Sequence, residues 1–353
     1  MLFAGIAWDA GGFEVAFRNP DGTVAAPERR FPAGGVAALT GFLCELAGQV
    51  DELICIVDST NGMLDGGLMV RGLRVHRADP AALPPRPAFG SVPADTLARA
   101  GAERLAELDR LTLTGGSLTG RSEEHGRDAG AREQTLASLV ADGRCLARGA
   151  SEHREVALTF DDGPNPPYTG RILDVLEEYD VPATFFCIGL HAQGHAEELA
   201  RMTEAGHLIG NHTWSHPFLP DLTHPELERQ LLRTDEAIER VTGPRPQRFF
   251  RPPYGSGTPH TYSWLGQHSG STLALWDVDT NDWAMPGADA ISRTVLARVR
   301  PGSIVLMHDG GGDRSQTAEA LPAVVEGLLE RGYRFVTVEQ LADGQANGNR
   351  KPL

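Results

Sequence analysis

Residues 155–166 read EVALTFDDGPNP: an apolar run rich in strand-forming residues, then two adjacent carboxylates at Asp161 and Asp162, then a Gly-Pro turn. A short apolar run closed by turn residues predicts a buried strand over Val156–Phe160. The same unit recurs downstream. Strands are expected at Ala183–Ile188, Leu208–His212, Arg248–Arg251, Thr272–Val278, Ser303–Met307 and Arg334–Val338. Helical patterns lie between them at Gly170–Tyr179, Ala196–Ala205, Pro225–Val241, Ala288–Val299 and Ala318–Arg331. Seven βα repeats in roughly 190 residues predict a distorted parallel (β/α)7 barrel, slightly smaller than the usual eightfold one. Barrels of this kind carry their chemistry at the C-terminal ends of the strands.

The polar clusters fall at those ends. Strand one ends in the Asp161–Asp162 doublet, where two like charges would raise one pKa unless a cation intervenes. Strand three runs into NHTWSHP, with His212 and His216 four residues apart. That spacing lets two imidazoles converge on one ion, and two His plus one carboxylate is a recurrent open metal site. Asp162, His212 and His216 are therefore read as ligands of one divalent ion; nitrogen and oxygen donors suit Zn²⁺, with Co²⁺ or Ni²⁺ also fitting. Strand four ends in FFRPPYG, where Arg251 could orient a carboxylate, and Tyr254 follows a rigid Pro-Pro turn. Strand five runs into WDVDTNDW and strand six ends in LMHD, so Asp282 could hold His308 protonated. Nine of the 12 histidines lie between His191 and His308. His191, His195, His207, His224, His260 and His268 have no matched partners and are read as surface or structural; Trp276 and Phe186 are read as core.

Composition narrows the function. The 353 residues include 32 Lys+Arg against 47 Asp+Glu, a formal charge of −15, and 41% are hydrophobic, enough to fill the cores of about two domains. Lys351 is the single lysine and the arginines are scattered. Phosphate backbones are gripped by clustered cations, so no nucleic-acid partner is expected. The longest apolar stretches, such as Val36 to Leu46, are too short to span a bilayer. The N-terminal MLFAGIAWDAGG lacks a basic n-region and a cleavage-like site, which predicts a cytoplasmic protein with no membrane association. Cys44, Cys55, Cys145 and Cys187 show no CxxC spacing and read as free thiols.

LTFDDGPNP, HTWSHP, RPPYG, DTNDW and LMHD, in this order, resemble the five motifs of the NodB-homology polysaccharide deacetylases, carbohydrate esterase family four. The resemblance covers about Glu155 to Leu341. It implies a NodB-type barrel over 151–345, metal ligation by Asp162, His212 and His216, and a general base at Asp161 positioned by Arg251. It further implies an oxyanion contact from the Tyr254 N–H, a general acid at His308 tuned by Asp282, and an acetyl pocket lined by Trp283 and Leu306. The implied reaction is metal-dependent hydrolysis of N-linked acetyl groups on N-acetylglucosamine-type sugars. Two alternatives are an N-deacetylase of a small N-acylated biosynthetic intermediate and a non-catalytic carbohydrate-binding module.

Residues 1–112 read as a smaller α/β domain, followed by a linker and helix over 113–150, with a short tail at 346–353. An Asn19–Gly22 hairpin turn, a helix over Gly35–Ala47 and a strand ending in Asp58 are expected, and a last helix over Gln134–Arg148. With Asp9 on the first strand and Asp95 ahead of a helix, this order resembles a ribonuclease H-like domain of transposase type, which implies Asp9, Asp58 and Asp95 as a possible metal set. Without a basic surface, a non-catalytic scaffold or homodimerisation module is the expectation.

Overall fold

The computed structural model describes residues 1–58, 62–78, 83, 84, 87, 89–111, 129–149 and 153–348. The expected linker up to 128 and the boundary at Ala150 lie outside the described residues. By contact the chain divides into Met1–Ala129 with Ser215–Arg229, and Gly130–Trp214 with Gln230–Leu353.

The first sheet contains β1 (Leu2–Asp9), β2 (Gly12–Arg18), β3 (Val24–Pro32), β4 (Leu53–Val57), β5 (Arg74–Arg77) and β6 (Asp109–Arg110), in the order β3-β2-β1-β4-β5-β6. β1 to β3 form an antiparallel meander, and the expected turn joins β2 to β3 through Gly22 N–H donating to Asn19 O at 2.9 Å. β4 and β5 continue parallel to β1. The helix Ala94–Arg104 packs on this sheet at close range because Gly5 has no side chain: a Cβ there would sit 2.0 Å from Ala94 O. Ile54, Ile56, Leu97 and Ala98 are fully buried in the resulting core, each large side chain contributing about 1.5–3 kcal/mol of hydrophobic stabilisation.

The three acids of this region are used separately. Asp95 receives both Nε and Nη2 of Arg18 at 2.7 Å, Asp9 accepts from Arg30 at 2.9 Å and from Gly11 N–H, and buried Asp58 accepts from Val92 N–H at 2.8 Å. Among the described residues, Asp9, Asp58 and Asp95 do not form a metal-holding group.

The second sheet is parallel throughout: β7 (Cys145–Leu146), β8 (Glu155–Asp161), β9 (Thr184–Cys187), β10 (Leu208–Asn211), β11 (Phe249–Phe250), β12 (Thr272–Ala274), β13 (Val278–Asp279), β14 (Ser303–His308) and β15 (Arg334–Phe335). Its order is β13-β14-β8-β9-β10-β11-β12-β7, with β15 on the start of β8, a curled α/β barrel of the expected distorted kind. Ala157, Phe186, Phe249, Ala274, Ile304 and Val336 fill its interior.

Three expectations are corrected. The helix expected to reach Arg148 stops at Ala141; Gly143 takes φ +69°, and Cys145–Leu146 then form β7, so apolar residues read as helix face belong to a barrel strand. The strand expected over Thr272–Val278 is two strands, because its ladder changes partner: Leu273 and Ala274 pair with β7, Val278 and Asp279 with β14. The last strand ends at Phe335 rather than Val338, which instead starts a helix to Gly348 whose Thr337 hydroxyl accepts from Gln340 N–H.

Candidate active site

β8 delivers the first part of the site. Alternation along a strand puts Thr159 and Asp161 on one face, and the chain then turns at Asp162, which adopts φ +76°. Left-handed backbone is uncommon away from glycine and costs on the order of 1–3 kcal/mol where the surroundings enforce it. Asp162, Thr213, His216, Tyr254 and Asn281 all adopt it, one or two in each of four loops that follow barrel strands. These turns aim side chains that a regular strand end would not.

Arg251, after β11, is fully buried, and each part of its guanidinium is engaged. Nη1 donates to Asp161 Oδ1 and to Thr159 Oγ1, both at 2.7 Å, Nε donates to Ala274 O at 3.0 Å, and Nη2 to Leu275 O at 3.1 Å. Its carbon lies 4.2 Å from the Phe186 ring centroid and 5.5 Å from that of Trp276, so residues read from sequence as core are the platforms of a buried cation. Burial lowers the Arg251 pKa against the pull of Asp161, but arginine starts so high that it stays cationic. Thr159 was not anticipated as part of the site. Its signal was a lone hydroxyl in an apolar strand, two residues before the doublet.

The predicted ligand residues converge. One donor atom each from Asp162, His212 and His216 lies within 4.8 Å of the others, and all three residues are buried. His212 Nδ1–H donates to Arg251 O at 2.7 Å, which leaves Nε2 as the lone-pair nitrogen, 3.4 Å from Asp162 Oδ1 and 3.7 Å from Asp161 Oδ2. An imidazole fixed through its far nitrogen, opposite a carboxylate, is the donor chemistry of a histidine–carboxylate metal site, so these residues fit a divalent cation. His191, read as surface or structural, is 3% exposed and its Nδ1–H donates to Asp162 O at 2.7 Å, helping to hold the turn at Asp162. Burial drives the His191 pKa down to about 4, so the ring is neutral and acts as a fixed donor.

On the neighbouring strand the register places His308 opposite Asp161. Asp282 is fully buried and accepts three hydrogen bonds: from His308 Nδ1–H at 2.7 Å, from His308 N–H at 2.8 Å and from the Thr317 hydroxyl at 2.7 Å. Burial alone would disfavour a charged His308, but the charge of Asp282 and its hydrogen bond outweigh it and lift the pKa to about 9. Asp309, next in the chain, is pushed up to about 7 by burial, against the Thr169 hydrogen bond and with the charges of Asp162 and Asp161 adding to the rise. Leu306 is 5% exposed and shares the His308 face of β14, whereas Trp283, 49% exposed, and Tyr254, 37% exposed, keep open aromatic surface on the turns at Asp282–Ala284 and Pro253–Gly255. Among residues read as incidental, His207 accepts from Ala183 N–H at 3.1 Å and is structural.

A carboxylate held by a fixed cation and an imidazole held protonated, beside a histidine–carboxylate ligand set, form the equipment of a hydrolase that adds water to a carbonyl. Comparison with known proteins agrees. Residues 148–269 match the polysaccharide deacetylase family. A chitooligosaccharide deacetylase of Sinorhizobium fredii is 40% identical over 207 residues, covering 56% of this chain and 96% of the relative. A peptidoglycan-N-acetylglucosamine deacetylase of Bacillus cereus is 39% identical over 194 residues, 55% of this chain and 70% of the relative. The solved structure of the peptidoglycan deacetylase PdaC from Bacillus subtilis superimposes with a TM-score of 0.52 at 37% identity, covering 57% of this chain and 95% of that one. The chain belongs to the polysaccharide deacetylases of carbohydrate esterase family four. No helix among the described residues is long and apolar enough to cross a membrane.

Proposed function

We propose that the protein removes N-linked acetyl groups from N-acetylglucosamine-type oligo- or polysaccharides. The observation that carries this reading is the placement of Arg251-bound Asp161 within 3.7 Å of a ligand histidine and in register with Asp282-bound His308. An amide is a poor electrophile with a poor leaving group, so its hydrolysis needs a base, an acid and charge stabilisation together. Asp162, His212 and His216 would hold a divalent ion, Zn²⁺ or alternatively Co²⁺ or Ni²⁺, which when bound supplies Lewis acidity toward water and the acetyl oxygen. Asp161 takes the proton from the attacking water. Arg251 fixes its Oδ1, leaving Oδ2 toward His212 Nε2 and the ligand set. The backbone N–H of Tyr254 donates to the developing oxyanion, a role in which one donor is typically worth about 2.7–4 kcal/mol. His308 delivers its Nε2 proton to the departing nitrogen, since Nδ1 is committed to Asp282. The half-exposed Trp283 with Leu306 receives the acetyl methyl. The products are acetate and a free amine.

An intact acid and base speak against a binding module, which needs neither. Residues 1–112 are assigned a scaffold or self-association role, consistent with the separate engagement of their acids. Four free cysteines favour a reducing, cytoplasmic compartment. The test is acetate release from N-acetylglucosamine and its oligomers of increasing length, with metal stripped and restored. Metal-dependent release that rises with chain length supports the saccharide reading. Release from no member of the series would turn the search to small N-acylated metabolites.

A further inference from the structure

We infer that Thr169 and Asp309 form a positioning pair that sets the turn carrying Asp161 and Asp162 against the strand carrying His308; this rests on the deacetylase reading. Both residues are fully buried. The Thr169 hydroxyl donates to Asp309 Oδ2 at 2.6 Å and accepts from Asn165 N–H at 2.7 Å. One hydroxyl thus joins the turn after β8, the start of the helix Tyr168–Glu178 and the residue following His308. The two segments also meet by main chain: Asp309 and Gly310 N–H donate to Asp161 O at 3.0 and 3.3 Å, and Asn165 Nδ2 donates to Gly312 O at 3.3 Å.

The approach leaves no slack. A Cβ on Gly163 would lie 1.9 Å from Asp309 Oδ2, so the carboxyl occupies the space beside the turn, directly after ligand residue Asp162. Asp309 Oδ1 is buried and makes no hydrogen bond, so the Thr169 hydroxyl is the contact that orients this carboxyl. A carboxyl tied to the neighbouring helix through the Thr169 hydroxyl, and wedged against the turn, transmits a change at Thr169 to the spacing of Asp161 and His308. Reacting groups tolerate little misplacement, and supporting partners of this kind are typically worth about 10–100-fold in activity or metal affinity.

The experiment compares wild type, Thr169→Val, Thr169→Ser, Asp309→Asn and the double variant Thr169→Val/Asp309→Asn in the full chain. Turnover on acetylated chitooligosaccharide is measured with Zn²⁺ bound, and Zn²⁺ affinity of the stripped proteins by chelator competition. The expected result for Thr169→Val is a fall in kcat of about 10–100-fold, with KM within about twofold and Zn²⁺ affinity reduced at least about fivefold. Thr169→Ser should restore both to within about threefold, and the double variant should be no worse than the poorer single one, because coupled residues are non-additive. Thr169→Val within threefold of wild type, equal loss in Ser and Val, or multiplying losses in the double variant would each overturn the inference. Wild type releasing no acetate defeats the chitooligosaccharide reading instead, and the Zn²⁺ affinity ratios then decide the pair alone.

Discussion

Replacing Asp282 by Asn isolates what holds His308 protonated. The side chains meet at 2.7 Å, Asp282 is fully buried and the His308 side chain is 13% exposed, so solvent screens the pair little. His308 rises from 6.5 to about 9 although burial acts in the opposite sense, so the influences that raise it, the Asp282 charge and hydrogen bond foremost and the Asp162 charge behind them, together outweigh burial by about 3 kcal/mol. In Asp282→Asn the ring should therefore titrate below 6.5. At pH 7.5 the cationic fraction would fall from about 97% to under about 10%. The assay is the His308 ring resonance followed through pH in metal-free protein, paired with a pH–rate profile of the metal-loaded enzyme. A general acid must be protonated, so kcat/KM should decline on the alkaline side, and the variant should move that decline downward by at least two units. An alkaline limb or a ring titration displaced by less than half a unit would refute the account of His308 as an acid set by Asp282.

The same pair makes stability pH-dependent. His308 has a raised folded pKa, so its contribution is full below 6.5 and is lost as pH rises through about 9; thermal unfolding of the metal-free protein should drop across that window, and Asp282→Asn should flatten the drop. His216→Ala should abolish stoichiometric Zn²⁺ binding, read by metal analysis after gel filtration, while circular dichroism stays that of the wild type. Arg251→Met removes the cation that holds buried Asp161 at 2.7 Å, and breaking such a buried pair costs about 3–5 kcal/mol, seen as a lower midpoint in urea as well as lost turnover. Asp9→Asn, whose partner Arg30 is exposed, should leave turnover unchanged and stability within about 0.5 kcal/mol by the same urea titration.

Periodicity revealed the barrel because its strands β8, β9 and β14 are buried on both faces and read as unbroken apolar runs. It failed at β7, only two residues long, where Cys145 and Leu146 continued a helical pattern. Strand lengths were overestimated at β11, β12 and β15, since turns and partner changes end a ladder without a change in hydrophobicity. The site was legible where chemistry is concentrated in neighbouring letters: the Asp doublet, the histidine pair, the arginine before Pro-Pro. The supporting residues Thr159, Thr169, His191 and Thr317 were not, because a hydroxyl or imidazole inside an apolar segment has no partner until the chain folds. In the first domain, the resemblance implied a shared ligand role for Asp9, Asp58 and Asp95, but each is engaged by an arginine or a backbone amide.

The interruption between β12 and β13 has a consequence for how this barrel can be altered. Ala274 O and Leu275 O accept from Arg251 where the strand leaves one neighbour for the next, so two carbonyls are aimed at a side chain and not at an adjoining chain. A redesign that smoothed Thr272–Asp279 into one continuous strand would satisfy geometric ideals while evicting the guanidinium from its seat. The irregularity is thus a fixture that engineered or transplanted versions of this scaffold must copy along with the side chains.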